Sequence, residues 1–195
     1  MNEWTLIACA LVSSAATVGA VLLRHKLSRN LKCDPIEKET KHNQNVYTAL
    51  DFTIESFNCD RAYVLEFHNG IHYFSGRSQQ KFSCSYEVVQ EGISAECQNS
   101  QDHKISNYHN YIRTLIEEEK FAFHNIDDIE DHIFTTLLRH KGVQSILNVP
   151  IKTLNGKIIG ILGVDWVRAP NKEKFTEENF KFLKMQATVV AGYLL

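Results

Sequence analysis

Hydrophobic and polar positions follow three different rhythms along this chain. The first is no rhythm at all: Trp4 to Leu23, WTLIACALVSSAATVGAVLL, is an uncharged and largely apolar run of about 20 residues, the length a helix needs to cross a hydrocarbon core. Glu3 precedes the run, whereas Arg24, His25, Lys26, Arg29 and Lys32 follow it. That order is the reverse of a cleaved signal peptide, and it places the amino terminus outside and the rest of the chain in the cytoplasm. The run predicts a single-pass transmembrane anchor in the cell (inner) membrane over residues 1–23, with the membrane contact through 4–23. Residues 24–35 then form a basic juxtamembrane connector.

The second rhythm is helical. Asp34 can cap a helix with Pro35 at its first position, and apolar residues recur at Val46, Leu50, Ile54 and Phe57, spaced by three and four. Two further helices are predicted through YHNYIRTLIEEE and DHIFTTLLRHKG, the latter closed by Gly142. A last one runs to the carboxy terminus from an N-cap at Thr176, with Phe180, Leu183, Ala187 and Val190 on its apolar face.

The third rhythm is alternation. RAYVLEF reads as a strand with Ala62, Val64 and Glu66 on one face and Tyr63, Leu65 and Phe67 on the other. KFSCSYEVV alternates too, placing Phe82, Cys84, Tyr86 and Val88 together. In the last third, VQSILNVPI is a strand broken by Pro150, and an Asn155-Gly156 turn leads into IIGILGVDWV. Helices at both ends of an antiparallel sheet make the class α+β, with the domain spanning residues 36–195.

Composition narrows the function. With 21 basic and 23 acidic side chains the net charge is -2, which lacks the basic excess that phosphate neutralisation demands, so no nucleic-acid partner is expected. Cys9, Cys33, Cys59, Cys84 and Cys97 are five in number and irregularly spaced. An odd count without a CxxC pair fits free thiols in a reducing compartment and neither a disulfide framework nor a zinc site.

The stretches SILNVPIKTLNGKIIGILGVDWV and ALDFTIESFNCDRAYVLEF together resemble GAF domains. The first is similar to the family's late hairpin, a V-P-[IL] step turning through N-G into an iiGvl-type strand before a terminal helix. The second is similar to its opening helix and first strand. The resemblance implies an antiparallel sheet of five or six strands, with the terminal helices on one face and a pocket on the other under loops and short helices. It also implies a sensory or regulatory role in signalling, ligand binding, and dimerisation through the terminal helices. The chain lacks the N-[KR]-x-[DE] motif of the cyclic-nucleotide subclass. It lacks the D-I-P segment and cysteine of bilin binders, and the flanking sequence of the sulfoxide reductases around Cys84 and Cys97. No particular cofactor is therefore specified.

The segment VLEFHNGIHYFSG concentrates candidate chemistry in Glu66, His68, Asn69 and His72. It offers no nucleophile elbow, HExxH or phosphate loop, and no catalytic or metal-binding residue is assigned. Asn69-Gly70 reads as a turn needing positive φ, with Gly70 and Gly76 bracketing a loop or hairpin. The resemblance to GAF domains implies that the end of the first strand and KFSCSYEVV lie side by side near the pocket, which gives His68, Asn69, Arg77, Ser83, Ser85, Tyr86 and Glu87 as the ligand-binding candidates. The expected protein is a membrane-anchored sensor module that binds a small molecule or signals by dimerisation, as a homodimer or with a separate output protein. The alternative is a ligandless scaffold that recruits a protein partner to the membrane; a pocket enzyme or thiol redox sensor comes third.

Overall fold

The computed structural model describes residues 16–24, 26, 34–169 and 172–195. Its backbone divides into two units, Met1–His42 and Asn43–Leu195, each described by itself. In the first, residues 16–24 are helical, with Val18, Val21, Leu22 and Leu23 exposed. Most of the run Trp4 to Leu23 and of the basic connector lies outside the described residues. Among the described residues no helix is long and apolar enough to cross a membrane.

Helix α1 (Pro35–Phe57) starts as its sequence dictates, with the Asp34 carboxylate accepting from the Ile36 amide at 2.8 Å. It buries Val46, Ala49, Leu50, Thr53, Ile54 and Phe57 and stops where Asn58 takes a φ of 47°. Strands β1 (Arg61–His72), β2 (Ser78–Val89) and β3 (His103–Lys104) follow, then α2 (His109–Glu118), β4 (Phe121–Phe123) and α3 (His132–His140). Strands β5 (Ser145–Lys152) and β6 (Ile158–Trp166) and helix α4 (Glu177–Leu194) complete the order. One six-stranded antiparallel sheet runs β3-β2-β1-β6-β5-β4.

The sheet separates two apolar layers. On one face α1 and α4 pack over Ala62, Val64, Tyr86, Leu147, Val149, Leu162 and Val164. On the other, α2 and α3 cover Tyr63, Leu65, Phe82, Cys84, Ile146 and Ile161. Sequence alternation assigned the faces of β1 correctly, but β2 departs from it. Val64 pairs with Tyr86 whereas Leu65 pairs with Cys84, so Ser85 is an extra residue, a β-bulge. One inserted residue swaps the faces on either side of it: Phe82 and Cys84 face α2 and α3, while Tyr86 and Val88 face α1 and α4.

Three local expectations also change. β1 continues through Asn69 and Gly70 to His72, and the turn comes later, between Tyr73 and Arg77, with φ of 80° at Gly76. Glycine at 70 sits in close quarters: a Cβ there would lie 2.8 Å from Lys81 Cε, which would have to swing aside, and 3.0 Å from the Gln79 carbonyl. β5 is not broken at Pro150, which stays in register with Ile161. Its pairing with β4 ends at Asn148, so Pro150 has a strand neighbour on one side only and the missing N–H is tolerated. The short strands β3 and β4 lie in a segment that carried no alternation.

Candidate functional site

Two cross-strand rows and one group from β2 and the loop after it build the site on the face beneath α2 and α3. Arg61 opens β1 directly opposite Asp165 of β6. Both are buried, and the guanidinium Nε donates to Asp165 Oδ1 at 2.9 Å. The other guanidinium nitrogens reach two carbonyls, Lys141 O at 3.0 Å and Ser94 O at 3.4 Å, which tie the segment after α3 and the loop after β2 to the sheet. Burial pushes the Asp165 carboxyl up to about 6, with Arg61 opposing that shift.

The next row is Tyr63, Gly163 and Asn148 on β1, β6 and β5. The Tyr63 hydroxyl donates to Asn148 Oδ1 at 2.9 Å, and Asn148 Nδ2 donates to the Tyr111 hydroxyl at 2.7 Å. The relay passes over Gly163, where a Cβ would lie 2.3 Å from both Asn148 Oδ1 and the Tyr63 ring. Burial raises both phenol pKa values, so the relay is neutral. Around it Tyr111 stacks on Phe134 at 4.1 Å, and Phe82 meets His103 and Tyr108.

The third group comes from β2 and the loop that follows. Glu87 accepts from the amides of Glu96 and Cys97, each at 2.8 Å, which folds residues 94–100 over the sheet. Lys141 donates to Ser100 Oγ at 2.5 Å, and burial holds its ammonium below the ordinary lysine value. Between these groups lies a cavity of about 40 Å³, with Arg61, Glu87, Glu96, Ser100, Lys141 and Asp165 at its polar end. Leu65, Phe82, Phe134, Leu138 and Ile146 wall the opposite side. His103 also lines the cavity; its Nε2 is buried without a hydrogen-bond partner.

Of the seven sequence candidates, Glu87 lines this cavity. His68 Nε2 is 2.8 Å from Ser83 Oγ, which also accepts from the Asp102 amide, so the pair fastens β1 and β2 to the β3 segment. Asn69 accepts from Gln80 Nε2, and Arg77 lies over the Tyr73 ring on the hairpin tip. Ser85 is the bulge residue, and the Tyr86 hydroxyl donates to Asn43 under α1. The other residues of the polar end, Arg61, Glu96, Ser100, Lys141 and Asp165, were not among the candidates because their partners are distant in sequence. The available signal was a charge set in each of two apolar strands, Arg61 in DRAYVL and Asp165 in ILGVDWV. Among the described residues no group of three or more His, Cys, Asp or Glu side chains can hold a metal ion.

The fold is a small α+β domain with one sheet face covered by α2 and α3, and the sequence places it: the GAF domain family model matches residues 43–194. The chain belongs to the GAF domain family. No curated protein matches it by sequence. Its structure is similar to the blue-light absorbing form of the PixJ GAF domain of Thermosynechococcus elongatus, with a TM-score of 0.65 and 16% identity over 83% of this chain and 89% of that one. It is also similar to a domain named for a two-component sensor histidine kinase of Sinorhizobium meliloti 1021, with a TM-score of 0.55 and 18% identity over 83% and 92% of the two chains. A third similar structure is the far-red absorbing JSC1_58120g3 with bound biliverdin, with a TM-score of 0.59 and 15% identity over 81% and 95%. At these identities the likeness is one of fold.

Proposed function

We propose that this protein is a membrane-anchored GAF sensor whose cytoplasmic domain binds a small carboxylate-bearing molecule beneath α2 and α3. It passes the bound state to a second copy or to a separate output protein. The observation that carries the ligand reading is Lys141, a half-buried cation at the polar end of the cavity facing an apolar wall. Arg61 is neutralised by Asp165, and Glu87 is engaged by two amides. Lys141 donates to a neutral hydroxyl with the Glu96 carboxylate nearby, and His103 Nε2 has no hydrogen-bond partner; these are the two groups that would meet an anionic group.

The cavity is far below the roughly 300 Å³ of a typical ligand pocket. A ligand of a few heavy atoms fits this reading, and a tetrapyrrole or nucleotide would require the aromatic cluster to move. Anchoring is supported by the apolar run from Trp4 to Leu23 and the basic residues after it. Assembly is supported by Phe52, Met185 and Val189, which stay exposed on α1 and α4.

The test is native mass spectrometry and thermal shift on the purified full chain against a panel of small carboxylates. One class should raise the melting temperature, and Lys141→Met should abolish that response while leaving the unliganded protein folded. A full panel without a shift, and no retained small molecule, would sink the ligand reading in favour of a scaffold with a filled pocket.

A further inference from the structure

A second surface, well away from the cavity, has its own chemistry. β1 pairs with β6 only as far as Glu66, yet it continues with β2 to His72. The β1–β2 hairpin therefore projects six residues past that point, about 20 Å at strand rise. Its tip carries Ile71, exposed by 70%, and Phe74, exposed completely. Phe74 sits in the tight Tyr73–Arg77 turn, held by Tyr73 N to Arg77 O at 2.9 Å and Gly76 N to Tyr73 O at 2.8 Å.

The β5–β6 turn leaves the sheet at the same end, because β6 begins beside the far part of β1. Its apex is Leu154, again fully exposed. Rigid turns that hold large apolar side chains clear of the surface gain nothing for the fold.

Charge indicates what covers them. From Phe67 to Phe82 the chain has Arg77 and Lys81 and no acidic residue, and from Lys152 to Ile158 it has two lysines and none. Of the nearby carboxylates Asp102 is engaged by Lys81 and Glu119 by Lys152 and Lys184, while Glu66 stays at the hairpin base, six residues before His72. Arg77, over the Tyr73 ring, also borders an open cleft of about 360 Å³ lined by Tyr73, Ser78, Gln80, Ile105 and Ser106.

We infer that these two hairpin tips dock on an anionic lipid bilayer. Phe74, Ile71 and Leu154 enter the interfacial region, while Arg77 and Lys157 meet lipid phosphates, with the cleft beside Arg77 receiving a headgroup. Separate apolar side chains at turn apices, with Arg77 beside one and Lys157 beside the other, suit a deformable interface better than the contiguous patch of a protein partner. The inference extends the membrane-anchored reading, since an anchor would hold the domain at such a surface, but its chemistry belongs to the domain alone.

The test places a photoreactive benzoylphenylalanine at position 74 in the full chain, with position 52 on α1 as the control, and adds vesicles with or without phosphatidylserine. A lipid adduct is expected at 74 and not at 52, and it should be stronger on anionic vesicles. Arg77→Glu and Lys157→Glu should each lower it, by about fivefold per charge removed from the surface, with unchanged melting temperature. Adducts to protein only, equal lipid adducts at 52, or indifference to phosphatidylserine would overturn the docking surface. Resistance to carbonate extraction reports the anchor separately. Adducts at 74 without such resistance would support the docking surface and sink the anchor, whereas resistance without adducts would do the opposite.

Discussion

At the scale of single residues, the buried Arg61–Asp165 pair sets a pH dependence. Taking two charges from water costs several kcal/mol per ion, and their attraction offsets this only with good geometry and further hydrogen bonds. Arg61 obtains those bonds from two carbonyls, but Asp165 remains raised from an unperturbed 3.8 to about 6. The fold therefore favours the protonated acid relative to the unfolded chain. This contribution to stability is complete below pH 3.8 and disappears as the pH rises through about 6, a loss on the order of 3 kcal/mol. Glu119 acts with the opposite sign: its lysine partners lower it to about 2, so its contribution is lost at still more acid pH. Denaturant melts between about pH 4 and 7 should show the Asp165 loss, and the Asp165 carboxyl carbon should titrate in NMR spectra near 6. A midpoint close to 4 would remove the basis of this expectation. Gly163 supplies a second prediction. Its hydrogen is all that fits beneath the Tyr63–Asn148 bond, so Gly163→Ala must displace that bond or the β6 backbone. Thermal melts should show a loss of about 1–3 kcal/mol.

At the scale of elements, the chain was legible where one element decides its own pattern. The faces of α1 and α4, the Thr176 cap and the faces of β1 followed from periodicity because each buries one side against one layer. β2 was misread because Ser85 interrupts a sequence that still alternates on paper, and no local signal distinguishes the bulge from a regular pleat. Tyr86 shows the consequence: alternation grouped it with Phe82 and Cys84, and the bulge turns it to the other face, where its hydroxyl meets Asn43 of α1. Of the polar end only Glu87 was among the candidates, for a related reason: Arg61, Glu87, Lys141 and Asp165 come from four segments that only the folded sheet brings together. Removing Ser85 tests the register argument directly. Deletion should force Tyr86 toward the opposite layer or slip the hairpin, at a cost of about 3 kcal/mol or more. Ser85→Ala, which keeps the extra residue, should be nearly silent in the same melts.

At the scale of the whole molecule, the proposals join through topology: a cytoplasmic domain, an anchor before it, and hairpin tips that meet the inner leaflet. The thiols offer a way to test the sidedness, but they are not equivalent reporters. Cys59 and Cys84 are buried, and burial raises both thiol pKa values, so their silence toward a reagent would say nothing about the compartment. Cys97 is half-buried and its thiol approaches the Cys84 carbonyl at 3.3 Å, which makes it a slow target. A cysteine placed at the exposed Glu178, in the first turn of α4 and away from the hairpin tips, is the better reporter. In intact cells a membrane-impermeant maleimide should leave Glu178→Cys unlabelled, and permeabilisation should make it react at the rate of an open surface thiol. Labelling before permeabilisation would put the domain outside, and the positive-inside reading of Arg24, Lys26, Arg29 and Lys32 would then fall with it.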